Sequence, residues 1–204
     1  MFSNTSYSYA EEASITEIHI DLWNNKLYLI EDDKRTAQYP VATGKDETPT
    51  PIGQFHITKK QKDWGSGFGT RWMELDVPWG QYSIHGTNSP HSIGESTSNG
   101  CIRMHNKDVE ELYAKVPVDT LVTIVGAITG QGEWSFRNLS VGSKGTLVML
   151  VQNHLHAAGF YDGSQDGIYG KELEKAVTQF QKEHHLKLTG GVTKKMYLKL
   201  GILE

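Results

Sequence analysis

The spacing of apolar residues changes at Gly126, and this change limits what the chain can fold into more than any other feature. Before Gly126, short segments alternate apolar and polar residues, as half-buried β-strands do. After Leu139, apolar residues recur every three or four positions, as on amphipathic helices. The 204 residues are enough for two cores of roughly 60 to 130 residues each. We therefore predict a mostly β domain over residues 15–126, a linker over 127–138 and an all-α domain of three helices over 139–204.

The β domain is predicted from segments with two-residue alternation. The first, ITEIHIDLWNNKLYLIEDD, alternates on both sides of Asn24 and Asn25, which is typical of a β-hairpin. Further strands are predicted in TAQYPVATG, GQFHITKK, QYSIHG and TLVTIVG. One helix is predicted in NKDVEELYAKV, with Asn106 as its N-cap and Pro117 after its end.

The C-terminal part carries two helical stripes and the start of a third helix. The first stripe consists of Leu147, Leu150, Val151, Leu155 and Ala158. The second consists of Leu173, Ala176, Val177, Phe180 and His184. Gly159 is placed as the stop of the first helix, and Thr193 begins the third. In the linker, Trp134 and Phe136 indicate packing against a neighbouring surface.

Charge and hydropathy argue against two classes of protein. The net charge is −4, so no nucleic-acid partner is expected. Residues 139–204 carry 8 Lys and Arg against 6 Asp and Glu, a balance that favours an anionic polymer only weakly. No run of about 18 apolar residues exists, so no membrane span is expected. The N-terminus lacks the basic start and apolar stretch of a signal peptide, so either the protein is not exported that way or the chain is a trimmed form.

The chain contains one cysteine, Cys101, in the segment SNGCIRMHN. A buried, inert thiol is the simplest interpretation, but the polar approach through Ser98 and Asn99 does not read as core. A zinc site with His85, His91 or His105 lacks the paired close spacing of known zinc ligands. The third interpretation is a catalytic nucleophile.

A catalytic thiol needs a base, a group that orients the base, and donors for the oxyanion. His85 ends the predicted strand YSIHG, 16 residues before Cys101, and the loop between them can return the chain to the same sheet edge. The Gly86 carbonyl can hold the imidazole, and Arg103 adds a fixed cation suited to a carboxylate. Gly100 allows a close approach of the backbone to a ligand.

The segment IHGTNSPHSIGESTSNGCIRMHNKDVEEL resembles the active-site signature of the L,D-transpeptidase (YkuD-type) family, a histidine, a spacer and then Ser/Thr-x-Gly-Cys-apolar-Arg/Asn. The resemblance implies a β-sandwich with one main helix that acts on peptidoglycan stem peptides. It makes Cys101 the nucleophile, His85 its base and the Gly86 carbonyl the group that orients the base. Arg103 would hold the site or the substrate, with backbone N–H groups from Asn99 through Gly100 to Cys101 as the oxyanion hole. Many members have histidine in place of Asn99.

Residues 139–204 resemble the peptidoglycan-binding domain type 1 family, through Val151-Gln152, the DGIYG turn at 166–170 and Phe180-Gln181. An alternative here is calcium, because DGSQDG matches the opening of an EF-hand loop. The twelfth position of that loop should be glutamate and is Leu173, which belongs to an apolar stripe, so calcium is not expected.

Together the two resemblances imply an enzyme that links the third residues of two stem peptides through a cysteine acyl-enzyme. If water attacks that intermediate, the outcome is L,D-carboxypeptidase activity. The alternative is a catalytically silent wall-binding protein. Peptidoglycan stems and glycan are the implied partners, no metal or organic cofactor is needed, and a monomer is expected. The implied location is the extracellular bacterial cell wall, with spore layers as a second candidate.

Three tryptophans in the β domain, Trp64, Trp72 and Trp79, flank glycine-rich turns. Two interpretations of them stay open. They line a groove for glycan or peptide, or they are core aromatics.

Overall fold

The computed structural model describes residues 15–65, 67–127 and 136–203, and in these residues a β domain is followed by a helical module. The strands are β1 (Thr16–Asp21), β2 (Lys26–Glu31), β3 (Lys34–Pro40), β4 (Thr43–Gly44), β5 (Gly53–Lys62), β6 (Arg71–Leu75), β7 (Tyr82–Gly86), β8 (Ser96–Ser98), β9 (Ile102–Met104) and β10 (Leu121–Val125). The helices are α1 (Asn106–Lys115), α2 (Thr146–Ala157), α3 (Lys171–Glu183) and α4 (Lys194–Lys199). None of these helices is long and apolar enough to cross a membrane.

Eight strands form one mixed sheet in the order β3-β2-β1-β10-β5-β6-β7-β9. The ten-residue strand β5 joins the two halves of this sheet, and its register with β6 shifts between Ile57 and Lys59. Inward side chains from both halves, such as Ile18 and Ile84, belong to a single core that α1 also covers. The fold is therefore mostly β with one main helix in this domain, as predicted. Strands β6, β8 and β9 were not predicted.

Helix α1 forms in the predicted segment but begins one residue earlier, so Asn106 is not its cap. His105 occupies the N-cap position, no side chain caps the helix there, and Asn106 is already helical. The Asn106 Oδ1 atom instead accepts the Thr70 N–H at 3.2 Å. It also fills the space beside Gly69 and Gly86, where an added Cβ would lie within 2.3 Å of it. Asn106 thus ties the β5–β6 loop to the end of β7.

The module contains the three predicted helices. Of the first stripe, Leu147, Val151 and Leu155 are buried and Ala158 is exposed, so the stripe ends one turn earlier than predicted. Gly159 stops α2 with φ +76°, as predicted. The apolar residues of the second stripe are buried. His184 is half-buried, and the centroid of its ring lies 4.1 Å from that of the Phe180 ring.

The module sits directly on the β domain. The Thr146 Oγ1 atom accepts the Ile52 N–H at 3.1 Å. Met149 and Ile168 pack against the β core, and Gly167 lies against Trp79 so closely that a Cβ there would be 2.4 Å from its ring. Residues 128–135, which hold most of the predicted linker and Trp134, lie outside the described residues, and the boundaries of that linker stay a prediction. Phe136 packs on Tyr197 with ring centroids 5.4 Å apart.

Candidate active site

Cys101 lies beside Ser83 because β7 and β9 run parallel with a fixed register. That register places Ile84 opposite Ile102 and His85 opposite Arg103. One step earlier it brings Ser83 opposite Cys101, and the Ser83 hydroxyl donates to the Cys101 sulfur at 3.6 Å. Since side chains alternate along a strand, Ser83 and His85 share one face of β7.

His85 is 3% exposed and has a defined hydrogen bond to its own strand end. Its Nδ1 donates to the Gly86 carbonyl at 2.5 Å, the orienting contact that the sequence predicted. Because the carbonyl can only accept, this bond places a proton on Nδ1 and leaves Nε2 as the nitrogen that can take one.

The electrostatic surroundings of His85 keep the ring neutral near pH 7. Burial, with the Arg103 cation as a smaller cause, lowers the pKa of His85 to about 4. The backbone carbonyls of Gly86 and Phe68 oppose this shift, because they favour the charged ring. His85 can therefore accept a proton as a base at neutral pH, and two carbonyls stabilise the imidazolium that forms.

An open cleft of about 560 Å³ runs over this face of the sheet. The predicted residues Cys101, His85, Asn99 and Arg103 all line it. Its other walls come from the β5–β6 segment and from neighbouring strands: Lys59, Trp64, Gly67, Phe68, Trp72, Glu74, Gln81, Tyr82 and Ser83. The edge of the Phe68 ring packs on His85 at 5.0 Å between centroids.

Two other histidines do not belong to this group. His91 lies exposed in the short 3₁₀ turn Pro90–Ser92, and His105 is the N-cap residue of α1. Neither is among the described residues that line the cleft.

The turn before Cys101 is held by Ser98, which is fully buried. The Ser98 hydroxyl donates to the Cys101 carbonyl at 2.6 Å and accepts the Gly100 N–H at 3.0 Å. The Gly100 N–H is therefore already paired, and the Asn99 and Cys101 N–H groups are left as candidate oxyanion donors.

Gly100 is required in this turn for a reason other than ligand approach. Its φ is +108°, and a Cβ there would lie 2.6 Å from the Tyr82 ring. The group that approaches the Gly100 backbone closely is thus the Tyr82 side chain.

Sequence reasoning missed Ser83 and the role of Ser98. A signal for Ser83 was present in the sequence, because it stands two residues before His85 and so faces the same side of a strand. Its distance from Cys101 depends on the parallel pairing of β7 with β9, which no local pattern shows.

The described residues give no support to a metal site. Within 15–65, 67–127 and 136–203, no three His, Cys, Asp or Glu side chains are grouped as ligands for a metal ion. In the calcium-like loop, Asp166 Oδ1 accepts the Gln152 Nε2–H and the Ile168 N–H, both at 2.9 Å. That carboxylate therefore holds the loop to α2.

The family model of the "L,D-transpeptidase catalytic domain" (YkuD) matches residues 15–124, which is more than half of the chain. The chain belongs to the L,D-transpeptidase family. A second family model, "Putative peptidoglycan binding domain", matches residues 144–200. This L,D-transpeptidase family member thus has the order of domains that the sequence predicted.

Curated relatives carry the same family name. "Putative L,D-transpeptidase YkuD" of Bacillus subtilis (strain 168) is 46% identical over 107 residues, which cover 52% of this chain and 64% of the relative. "Putative L,D-transpeptidase YqjB" of the same organism is 42% identical over 115 residues, 49% of this chain and 65% of the relative. This L,D-transpeptidase family member therefore spans less than two thirds of the length of these relatives.

Solved structures agree on the fold. The structure described as "Structure of the Ldtfm-avibactam carbamoyl enzyme" is similar with a TM-score of 0.50 and 28% identity, over 55% of this chain and 49% of that chain. L,D-transpeptidase 3 from Mycobacterium tuberculosis, in complex with a faropenem-derived adduct, has a TM-score of 0.50 and 15% identity, over 55% and 61% of the two chains. The second likeness concerns the fold alone.

Proposed function

We propose that this protein is a cysteine-dependent L,D-transpeptidase that cross-links the third residues of two peptidoglycan stem peptides. The observation that carries the proposal is the cleft that holds Cys101, Ser83, His85 and Arg103 together. To family membership it adds a thiol that accepts a hydrogen bond from Ser83 and a neutral histidine in the same cleft.

The first step forms a thioester. The Cys101 sulfur attacks the carbonyl of the third stem residue, and its proton passes to His85 Nε2. The Cys101 N–H, with the Asn99 N–H, stabilises the oxyanion of the tetrahedral intermediate. The bond from this carbonyl to the nitrogen of the terminal D-alanine then breaks, and His85 returns the proton to that nitrogen as D-alanine leaves.

The second step transfers the acyl group. The side-chain amine of a third residue in another stem attacks the thioester and loses a proton to His85. Its new amide bond releases the Cys101 sulfur, which takes the proton back. If water replaces the amine, the product is a shortened stem with a free carboxylate. Arg103 supplies a fixed cation beside this reaction, suited to a stem carboxylate.

The module contributes affinity for the wall and no chemistry. A tethered binding module raises the local concentration of stems around the cleft. Peptidoglycan is therefore the partner, and the cell wall is the place where we expect the protein to act.

The test combines two variants in one preparation. The full chain is incubated with disaccharide-tetrapeptides, and the products are identified by mass spectrometry. Cys101→Ala is expected to abolish the acyl-enzyme and all cross-linked product. His85→Ala is expected to slow acylation by roughly 10²- to 10⁴-fold, because the general base is lost. Both variants should still sediment with purified peptidoglycan.

Avibactam and a carbapenem serve as probes for the thiol itself. Avibactam is chosen because the 28% identical Ldtfm structure is described as its carbamoyl enzyme. A mass increase on the wild-type chain that Cys101→Ala lacks separates the proposal from a silent wall-binding protein. Cross-linking that persists in Cys101→Ala would overturn the mechanism.

A further inference from the structure

The structure separates the three tryptophans that the sequence left open. Trp79 is 9% exposed and packs edge-on against Phe55 at 6.0 Å, under the module, so it is a core residue. Trp72 is 7% exposed in β6, directly opposite His85 in the neighbouring strand. Trp64 is 45% exposed and lines the cleft. Trp72 lines the cleft as well, but it is almost fully buried, so Trp64 is the one of the three that offers a large surface to a ligand.

Trp64 is held as a flat surface above the sheet. Its ring is stacked on Trp72 with centroids 4.8 Å apart and planes inclined by 16°. Trp72 thereby covers one face of the indole, and Trp64 lines the cleft together with Trp72. The Lys59 ammonium lies 5.3 Å from the centroid of the Trp64 ring. The ammonium lies over the ring, so a ligand that packs on Trp64 meets an aromatic surface for its apolar face and a cation for its oxygen atoms.

The position of Trp64 relative to Cys101 follows from the order of the strands. Strands β6 and β9 lie on either side of β7. Neighbouring strands are about 4.8 Å apart, so Trp72, with Trp64 above it, is roughly 10 Å from the strand that follows Cys101. A surface at this distance cannot touch the attacked carbonyl. It can touch a part of the substrate two or three residues away.

The chemistry of a stem peptide places a sugar at that distance. The two residues that precede the third residue span roughly 7 Å when extended. Beyond them the stem is joined through a lactyl group to the muramoyl sugar of the glycan strand. A pyranose ring has an apolar face of C–H groups, which complements the negative face of an aromatic ring.

We propose that Trp64 is a stacking platform for the muramoyl sugar of the donor strand, with Lys59 as a polar contact for oxygen atoms of that sugar. This inference rests on the proposed function, because the position of the sugar is counted from a third residue at Cys101. It makes the cleft specific for stems that are attached to glycan.

The test compares a disaccharide-tetrapeptide with the same tetrapeptide without sugar. The measured quantity is the ratio of the two kcat/KM values for acylation of the full chain. Trp64→Ala is expected to lower this ratio about tenfold, since contacts of this kind are worth ~1.4 kcal/mol or somewhat less. Lys59→Gln is expected to lower it about twofold to threefold. Trp23→Ala is the matched control, because Trp23 is 59% exposed in the β1–β2 turn and does not line the cleft.

An unchanged ratio in Trp64→Ala would overturn the proposal. Equal losses on both substrates give an unchanged ratio and would mean that Trp64 contacts the peptide or supports the cleft. A fall of the same size in Trp23→Ala would also count against it.

A binding measurement keeps this test independent of the reaction. Titration calorimetry with full-length Cys101→Ala, alone and combined with Trp64→Ala or Trp23→Ala, gives Kd for both ligands. Weaker binding of the disaccharide form only, and only with Trp64→Ala, supports the platform. If the wild-type chain turns over neither ligand, the proposed function fails, and the calorimetric result still decides the inference.

Discussion

The β domain and the module both bury polar side chains, but they direct them to different partners. In the β domain, Ser83 and His85 are at most 3% exposed and lie on the face that holds Cys101. In the module, Gln152 and Gln181 are at most 2% exposed and bind loops of the module itself. Ser83 and His85 therefore lie where they can take part in a reaction, whereas Gln152 and Gln181 use their hydrogen bonds to hold the loops of the module.

The two glutamines act in the same way. Gln152 accepts the Gly167 N–H at 2.7 Å and donates to the Ile168 carbonyl at 3.2 Å. Gln181 accepts the Thr189 N–H at 2.9 Å and donates to the Gly191 carbonyl at 2.8 Å. A carboxamide has both a donor and an acceptor and does not titrate, so it can close a loop at any pH.

The strongest test of this comparison is Gln181→Leu. This change leaves the Thr189 and Gly190 N–H groups without their acceptor, and we expect it to destabilise the module by about 2–3 kcal/mol. Urea unfolding followed by circular dichroism measures the loss. The matched control, Gln179→Leu, changes an exposed glutamine of the same helix and should stay within about 0.5 kcal/mol. A loss of Cys101 acylation in Gln181→Leu below its unfolding transition would contradict the separation of roles.

Acid should weaken the β domain through His85. Its pKa is lowered to about 4 in the fold, against about 6.5 in the unfolded chain, so the unfolded state binds more protons between these values. The contribution of neutral His85 to the free energy of unfolding is therefore fully present above about pH 6.5 and is lost as the pH drops towards 4. We expect the His85 contribution to fall by about 2 kcal/mol between pH 7 and pH 5. Urea unfolding of the wild type and of His85→Gln at both pH values measures this change. The free energy of unfolding should fall less in the variant than in the wild type between pH 7 and pH 5. Equal falls would mean that other groups cause the pH dependence.

The smallest expected effect is that of Ser83→Ala. The variant removes the donor to the Cys101 sulfur, and hydrogen bonds to charged groups are worth about 1.5–3 kcal/mol. We expect alkylation of Cys101 by iodoacetamide to slow about tenfold, because the sulfur loses its hydrogen-bond donor. Ser140→Ala, an exposed serine of the module, is the control. An alkylation rate of Ser83→Ala equal to that of the wild type would contradict the role of Ser83 as a donor.

The sequence predicted those strands and helices well whose buried residues recur at one regular spacing along the chain. The β1–β2 hairpin and the buried parts of the α2 and α3 stripes follow their apolar spacing. Strand β6 was missed because it follows a glycine-rich turn and its burial does not alternate. The N-cap at Asn106 was wrong because its side chain is used by Thr70, 36 residues away in sequence.

The sequence by itself determined the two-part architecture and the pair of Cys101 and His85, because hydrophobic periodicity and a short signature are local properties. Only the tertiary structure decided that Ser83 faces the sulfur, that Gly100 makes room for Tyr82 and that Trp64 is the one exposed tryptophan of the three, lying at the cleft. Each of these depends on which strands pair and in what register. Register is set by the whole sheet and its core, so residues 16 or more positions apart gain their roles from it.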